Sequence, residues 1–113
     1  MKTGVIYSVY FRGANVCYIG ATWDYLERWA RHRRSLLVGA HKNHRVQEAF
    51  VRYGGDSALR FGVVEWVGVC TAEELAAKER AALEKFVARH GRVALLNNTL
   101  KCLPRSFDQR RAS

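Results

Sequence analysis

The chain has 113 residues, of which 49% are hydrophobic, and a formal net charge of +9. That length fits one domain, the apolar fraction allows a modest core without disulfides, and the lack of low-complexity sequence excludes extensive disorder away from the ends. Nineteen Lys and Arg against ten Asp and Glu favour a polyanionic partner, nucleic acid first, over a protein that is basic for solubility alone, and no run is long and apolar enough for a membrane-spanning helix.

Residues 4–10 alternate as a strand, with Val5, Tyr7 and Val9 on one face. Phe11 to Asn15 reads as a turn in which Gly13 and Asn15 can take positive φ. Residues 16–20 resume a strand with Val16 and Tyr18 on one face. A hairpin symmetric about Arg12-Gly13 would set Tyr7 opposite Tyr18. Asp24 followed by Glu27 is a capping-box pattern that opens a helix over 24–38, stopped by Gly39. On the helical wheel Leu26, Ala30 and Leu37 cluster with Trp29 and Leu36 beside them, and Arg28 and His32 share a face bordering that arc.

Asn43 caps a second helix over 44–53, in which Val46, Ala49, Phe50 and Tyr53 recur at helical spacing. Gly54-Gly55 ends it. Residues 58–67, rich in β-branched and aromatic side chains, read as a third strand. Thr71 with Glu74 is another capping box, opening a helix over 72–89 that His90-Gly91 closes. Residues 93–97 add a short extended piece, and the basic stretch from Pro104 reads as a frayed tail.

Two phenols, Tyr7 and Tyr18, a guanidinium, Arg28, and an imidazole, His32, thus come within reach of one another. Such groups suit a phosphodiester. Glu79 is the second informative residue: Leu75, Ala82, Leu83 and Phe86 fall within about 60° of it on the wheel. An ionised carboxylate in an apolar stripe needs a cation or a hydrogen-bond network. A divalent metal and an arginine pair answer that need equally well. Cys17, Cys70 and Cys102 lack paired spacing, which fits free thiols in a reducing, cytoplasmic setting better than disulfides or zinc. The amino terminus lacks a signal-peptide pattern.

Together these residues resemble the GIY-YIG endonuclease family. Tyr18-Ile19-Gly20 matches its second name-giving motif. Val5-Ile6-Tyr7 matches the first, with valine where the family has glycine. Residues 25–32, from Tyr25 to His32, look like the family's arginine-and-histidine helix. His41 to Phe50 with Tyr53-Gly54 resembles the next block, as found in homing-endonuclease members. Lys78 to Leu83 looks like the metal-binding helix, with Ala82 where an aromatic is common, and Asn97 or Asn98 resembles the late asparagine. The likeness spans residues 4–99, so a domain over 1–100 and a tail over 101–113 are expected.

The resemblance implies a small α+β fold, a three-stranded antiparallel sheet flanked by helices in the order β-β-α-α-β-α. It implies hydrolysis of DNA phosphodiesters with one divalent ion, Mg2+ or Mn2+, on Glu79. Arg28 would bind the scissile or adjacent phosphate, with an ion pair to Asp24 as the plain alternative. Tyr7 would activate water, Tyr18 would position the nucleophile or phosphate, and His32 would share proton transfer or bind phosphate. Thr22 either bonds near the phosphate or caps the helix, and Asn97 either serves the site or a turn. Arg31, Arg34, His41, Lys42 and Arg45, with Arg33 and Arg52, would supply DNA contacts of the sequence-independent kind. One set of catalytic groups predicts a monomer or weak dimer nicking one strand at a time. The competing readings are a non-catalytic nucleic-acid-binding module, and a nuclease that needs a partner or a separate DNA-recognition domain.

Overall fold

The computed structural model describes residues 2–97; Asn98, Cys102 and the expected basic tail lie outside them. Strand β1, Lys2–Phe11, is the middle strand of a three-stranded antiparallel sheet of order β2-β1-β3, with β2 at Cys17–Thr22 and β3 at Leu59–Cys70. Helix α1, Tyr25–Leu37, and helix α2, His44–Arg52, lie between β2 and β3 in sequence. Helix α3, Ala72–His90, follows β3. The α+β class and the order β-β-α-α-β-α are as the sequence predicts.

The caps explain why the helices begin where they do. The Asp24 carboxylate accepts from the Glu27 N–H, Asn43 accepts from Arg45 and Val46 N–H, and Thr71 forms a full capping box with Glu74. Each satisfies donors that the first helical turn leaves free. At Asp24 the box is only half made, because the Glu27 carboxylate turns instead to Arg31 one helical turn on, 2.9 Å away.

Strand alternation divides the core. Tyr7, Val9 and Phe11 pack with Leu36 of α1 and with Val46 and Ala49 of α2. Ile6 and Ile19 pack on the other side with Leu75, Leu83 and Val87 of α3. The central strand is therefore buried on both faces, and Tyr7 is wholly enclosed. After α3 a 3-10 turn at Arg92–Ala94 leads into Leu95, which bridges in parallel to Cys17; this is shorter than the extended piece expected over 93–97. Cys17 and Cys70 are free thiols. No helix among the described residues is long and apolar enough to cross a membrane.

Two sequence expectations are corrected. Tyr7 pairs with Gly20, and Tyr18 with Val9, so the hairpin register lies two residues from the symmetric one. The turn causes the shift. Ala14 N–H closes back on Phe11 C=O at 3.0 Å and Arg12 N–H is held by Ala58 C=O at 2.8 Å, which moves the centre of the connection past Gly13. A shift of two keeps both phenols on one face, with ring centres 6.4 Å apart.

The second correction concerns α1. Leu26, Ala30 and Leu37 face outward, with Leu26 64% exposed. The buried side runs through Trp29 and Leu36, which the wheel sets beside that cluster, to His32, and is centred about 105° away at 100° per residue. A row of rings fixes that rotation. Trp66 of β3 meets Tyr25 edge-on at 5.3 Å, Tyr25 meets Trp29 at 4.9 Å, and Trp29 stacks on Phe61 at 5.3 Å. These ring contacts pin the helix to β3 and leave Leu26 and Leu37 at the surface.

The partner of Tyr7 across the hairpin must be glycine. A Cβ on Gly20 would come within 2.6 Å of the Tyr7 hydroxyl oxygen. Gly20→Ala is expected to lower stability by about 1–3 kcal/mol, as overpacking does, and to push Tyr7 aside; urea denaturation of the variant measures the first effect. On β1 the close approach falls at Gly4, where a Cβ would meet Leu75 at 2.7 Å. Val5, one residue later, is buried without needing that space.

Candidate active site

α1 carries its polar residues into the site because the aromatic row turns that side of the helix toward the sheet. The Tyr7 hydroxyl and His32 Nε2 lie 2.8 Å apart, and the same histidine's Nδ1 lies 2.8 Å from His41 Nε2. The two imidazoles lie nearly coplanar and edge to edge, with centres 5.0 Å apart and planes 15° from parallel. His41 Nδ1 accepts the backbone N–H of Asn43 at 3.0 Å. Gln47 holds this loop to α1, accepting from His41 N–H and donating to Leu36 C=O. Asn43 was legible in the sequence only as a helix cap. Its amide also donates to Leu96 C=O, and its main chain anchors His41.

Tyr18, Arg28, Arg31, His32, His41, Lys42 and Asn97 line one groove of about 430 Å³. Seven of the residues singled out from sequence thus share one opening. Burial raises the pKa of Tyr7, Tyr18 and Glu79, and Arg28 sits where its charge offsets part of that rise in all three. Its Nε is shut away from water with no hydrogen-bond partner among the described residues. No pair with Asp24 forms among the described residues. Glu79 comes from α3 on the other side of the sheet. It is half-buried and makes no hydrogen bond or ion pair among the described residues. Burial raises its carboxyl pKa and Arg28 offsets part of the rise.

Other expected contacts sit differently. The Thr22 hydroxyl is held by the backbone of Asp24, donating to its C=O and accepting from its N–H. The Asn97 amide accepts Ile19 N–H at 3.0 Å and donates to Ile19 C=O at 2.8 Å, capping the open edge of β2 as another strand would. Arg31 is exposed and paired with Glu27. Arg45 points away from the groove, donating to Val93 C=O. Arg34 and Lys42 are exposed.

The ionisation states follow from burial. Desolvation raises both phenols above their ordinary range, Tyr7 by a wide margin with the Tyr18 phenol adding to it. Burial, then His41 and Arg28, bring His32 down to about 4. Burial lowers His41 too. A histidine whose folded pKa lies below its unfolded value favours the folded state at neutral pH and loses that contribution as pH falls. Stability is therefore expected to drop as pH falls from about 6.5 toward 4, the value for His32. His32→Gln should flatten that part of the curve, which thermal melts across the range would record.

Against known proteins the geometry finds a counterpart. The catalytic domain of homing endonuclease I-TevI superposes with a TM-score of 0.72 over 85% of this chain and 98% of that one, at 19% identity. A glutamate-to-alanine variant of the intron endonuclease I-TevI catalytic domain gives 0.70 at 18% identity, over 86% of this chain and 94% of that one. The chain has the fold of the I-TevI catalytic domain, a GIY-YIG nuclease. No family model and no curated protein matches it by sequence. The likeness spans nearly the whole I-TevI domain.

Proposed function

We propose that this domain is a GIY-YIG-type DNA endonuclease that depends on one divalent ion, Mg2+ or Mn2+, and nicks one strand at a time. The observation that carries the reading is Arg28: a guanidinium among two phenols and a half-buried carboxylate, with a shielded N–H that nothing among the described residues accepts. A phosphate oxygen satisfies such a donor, and the pairing gains strength away from water.

Glu79 fits the metal. It is desolvated, and no protein group among the described residues pairs with it. Among those residues no three His, Cys, Asp or Glu side chains cluster to hold an ion. One carboxylate, with waters and phosphate oxygens completing the shell, suits magnesium. The bound ion would supply Lewis-acid stabilisation of the phosphoryl oxygens.

The protein's own groups do the remaining work. Arg28 binds the phosphate and offsets charge as it builds. Tyr7, held between His32 and the Arg28 charge, orients the attacking water and takes its proton in the phenolate form, its own proton having been released to solvent. Its raised pKa means that the phenolate would form only with the compensating positive charge that a bound divalent ion would supply. Tyr18 lines the groove and positions the phosphate. Lys42 and Arg31 hold the DNA backbone at the rim.

Supercoiled plasmid incubated with the protein and Mg2+ tests the reading. Open circles should precede linear DNA, and Glu79→Ala should stop both. Binding without cleavage, unaffected by Glu79→Ala, would instead establish a non-catalytic nucleic-acid-binding module.

A further inference from the structure

The chain of rings behind Tyr7 has a direction, and the main chain sets it. Asn43 N–H points at His41 Nδ1, 3.0 Å away. A backbone amide can only donate, so His41 Nδ1 carries no proton. In the neutral ring the proton then sits on Nε2, which lies 2.8 Å from His32 Nδ1. His32 Nδ1 must therefore accept, which places the His32 proton on Nε2, 2.8 Å from the Tyr7 oxygen. Reversing any one link leaves two lone pairs facing each other or two N–H groups colliding.

We infer that His41 is a positioning residue: with Asn43 it fixes the tautomer of His32, so that His32 donates to the Tyr7 oxygen and the Tyr7 hydroxyl proton lies on the side away from His32. Two consequences follow for the proposed nuclease, on which the kinetic part of this inference rests. His32 cannot act as the base that removes the Tyr7 proton, because its facing nitrogen is already protonated. It stabilises negative charge on the Tyr7 oxygen instead. His41 has both ring nitrogens engaged inside the protein, so it has no donor left for a DNA phosphate.

Long-range 15N NMR of the wild-type protein without DNA reads the tautomers directly. Both His32 and His41 should show a protonated Nε2 and a bare Nδ1. A proton on Nδ1 of either ring overturns the inference, and this result does not depend on whether the protein cleaves anything. In nicking assays His41→Ala should lower kcat by about 10- to 100-fold, as loss of an orienting partner does, while KM for DNA stays within about twofold. His41→Gln, which keeps an N–H able to reach His32 Nδ1, should restore most of that kcat. A raised KM with unchanged kcat and a shallower salt dependence would make His41 a phosphate contact and overturn the inference. If no variant and no wild-type preparation nicks DNA, the functional reading fails while the NMR result still decides this one.

Discussion

Arg28→Met should reduce nicking by about 10³-fold or more, the scale set by losing a preorganised donor to a developing oxyanion, while leaving the fold in place. The side chain is half-buried and its Nε has no partner among the described residues, so the folded protein bears a desolvation cost at this position. Methionine keeps the bulk and removes that cost. Against this stands the lost attraction to Glu79, whose carboxyl Arg28 holds down. The two effects oppose, so the change in unfolding free energy should stay within about 1 kcal/mol.

A second signature separates this variant from a simple loss of binding. Arg28 lowers the pKa of Tyr7, Tyr18 and Glu79. Without it all three rise, so the acid limb of the residual pH–rate profile should move to higher pH. Arg28→Lys should fall between wild type and Arg28→Met, because lysine keeps the charge but not the planar fork. Single-turnover cleavage across pH, with urea melts of the same preparations, checks each part.

The sequence revealed those features that local chemistry controls. The caps at Asp24, Asn43 and Thr71 placed all three helices to within a residue or two, since a side-chain acceptor before a helix answers a fixed need for partners. Glu79 stood out because a single acid interrupts an otherwise apolar line, and the structure leaves that acid half-buried. The face of α1 was misread for a related reason. Apolar periodicity assumes that the buried stripe is apolar, and here His32 occupies its centre. Leu26 and Leu37 then look like core when they are surface. The hairpin register depended on how the Arg12–Val16 connection is tied to Ala58, a contact 46 residues away that no local pattern encodes. The link from His32 to His41 crosses the end of α1, so no helical or strand spacing relates the two rings. The altered first motif is accommodated in a way visible only in three dimensions: the space that excludes a side chain is at Gly4, not at Val5.

Glu79→Gln should abolish nicking and yet make the protein more stable at neutral pH. Burial raises the Glu79 pKa, so the folded state disfavours the ionised carboxylate relative to the unfolded chain. The sign is the reverse of the usual salt-bridged acid. Wild-type stability should gain as pH falls and this carboxyl takes up its proton, while the ionised form at higher pH opposes folding. Glutamine is neutral throughout, so its advantage over wild type should be present near pH 7.5 and vanish where Glu79 is already protonated. A substitution that removes activity and raises stability marks a group kept for function. Magnesium supplies the independent check. An ion that binds only the folded protein stabilises it by about 1.4 kcal/mol at ten times its dissociation constant. Mg2+ should therefore raise the melting temperature of wild type and leave Glu79→Gln unmoved. Arg28→Met should still respond, more strongly, because removing a nearby positive charge favours a second cation at Glu79. A magnesium-induced rise that persists in Glu79→Gln would place the ion elsewhere. Opposite responses of the two variants would divide the site into a group that holds the metal and a group that holds the phosphate.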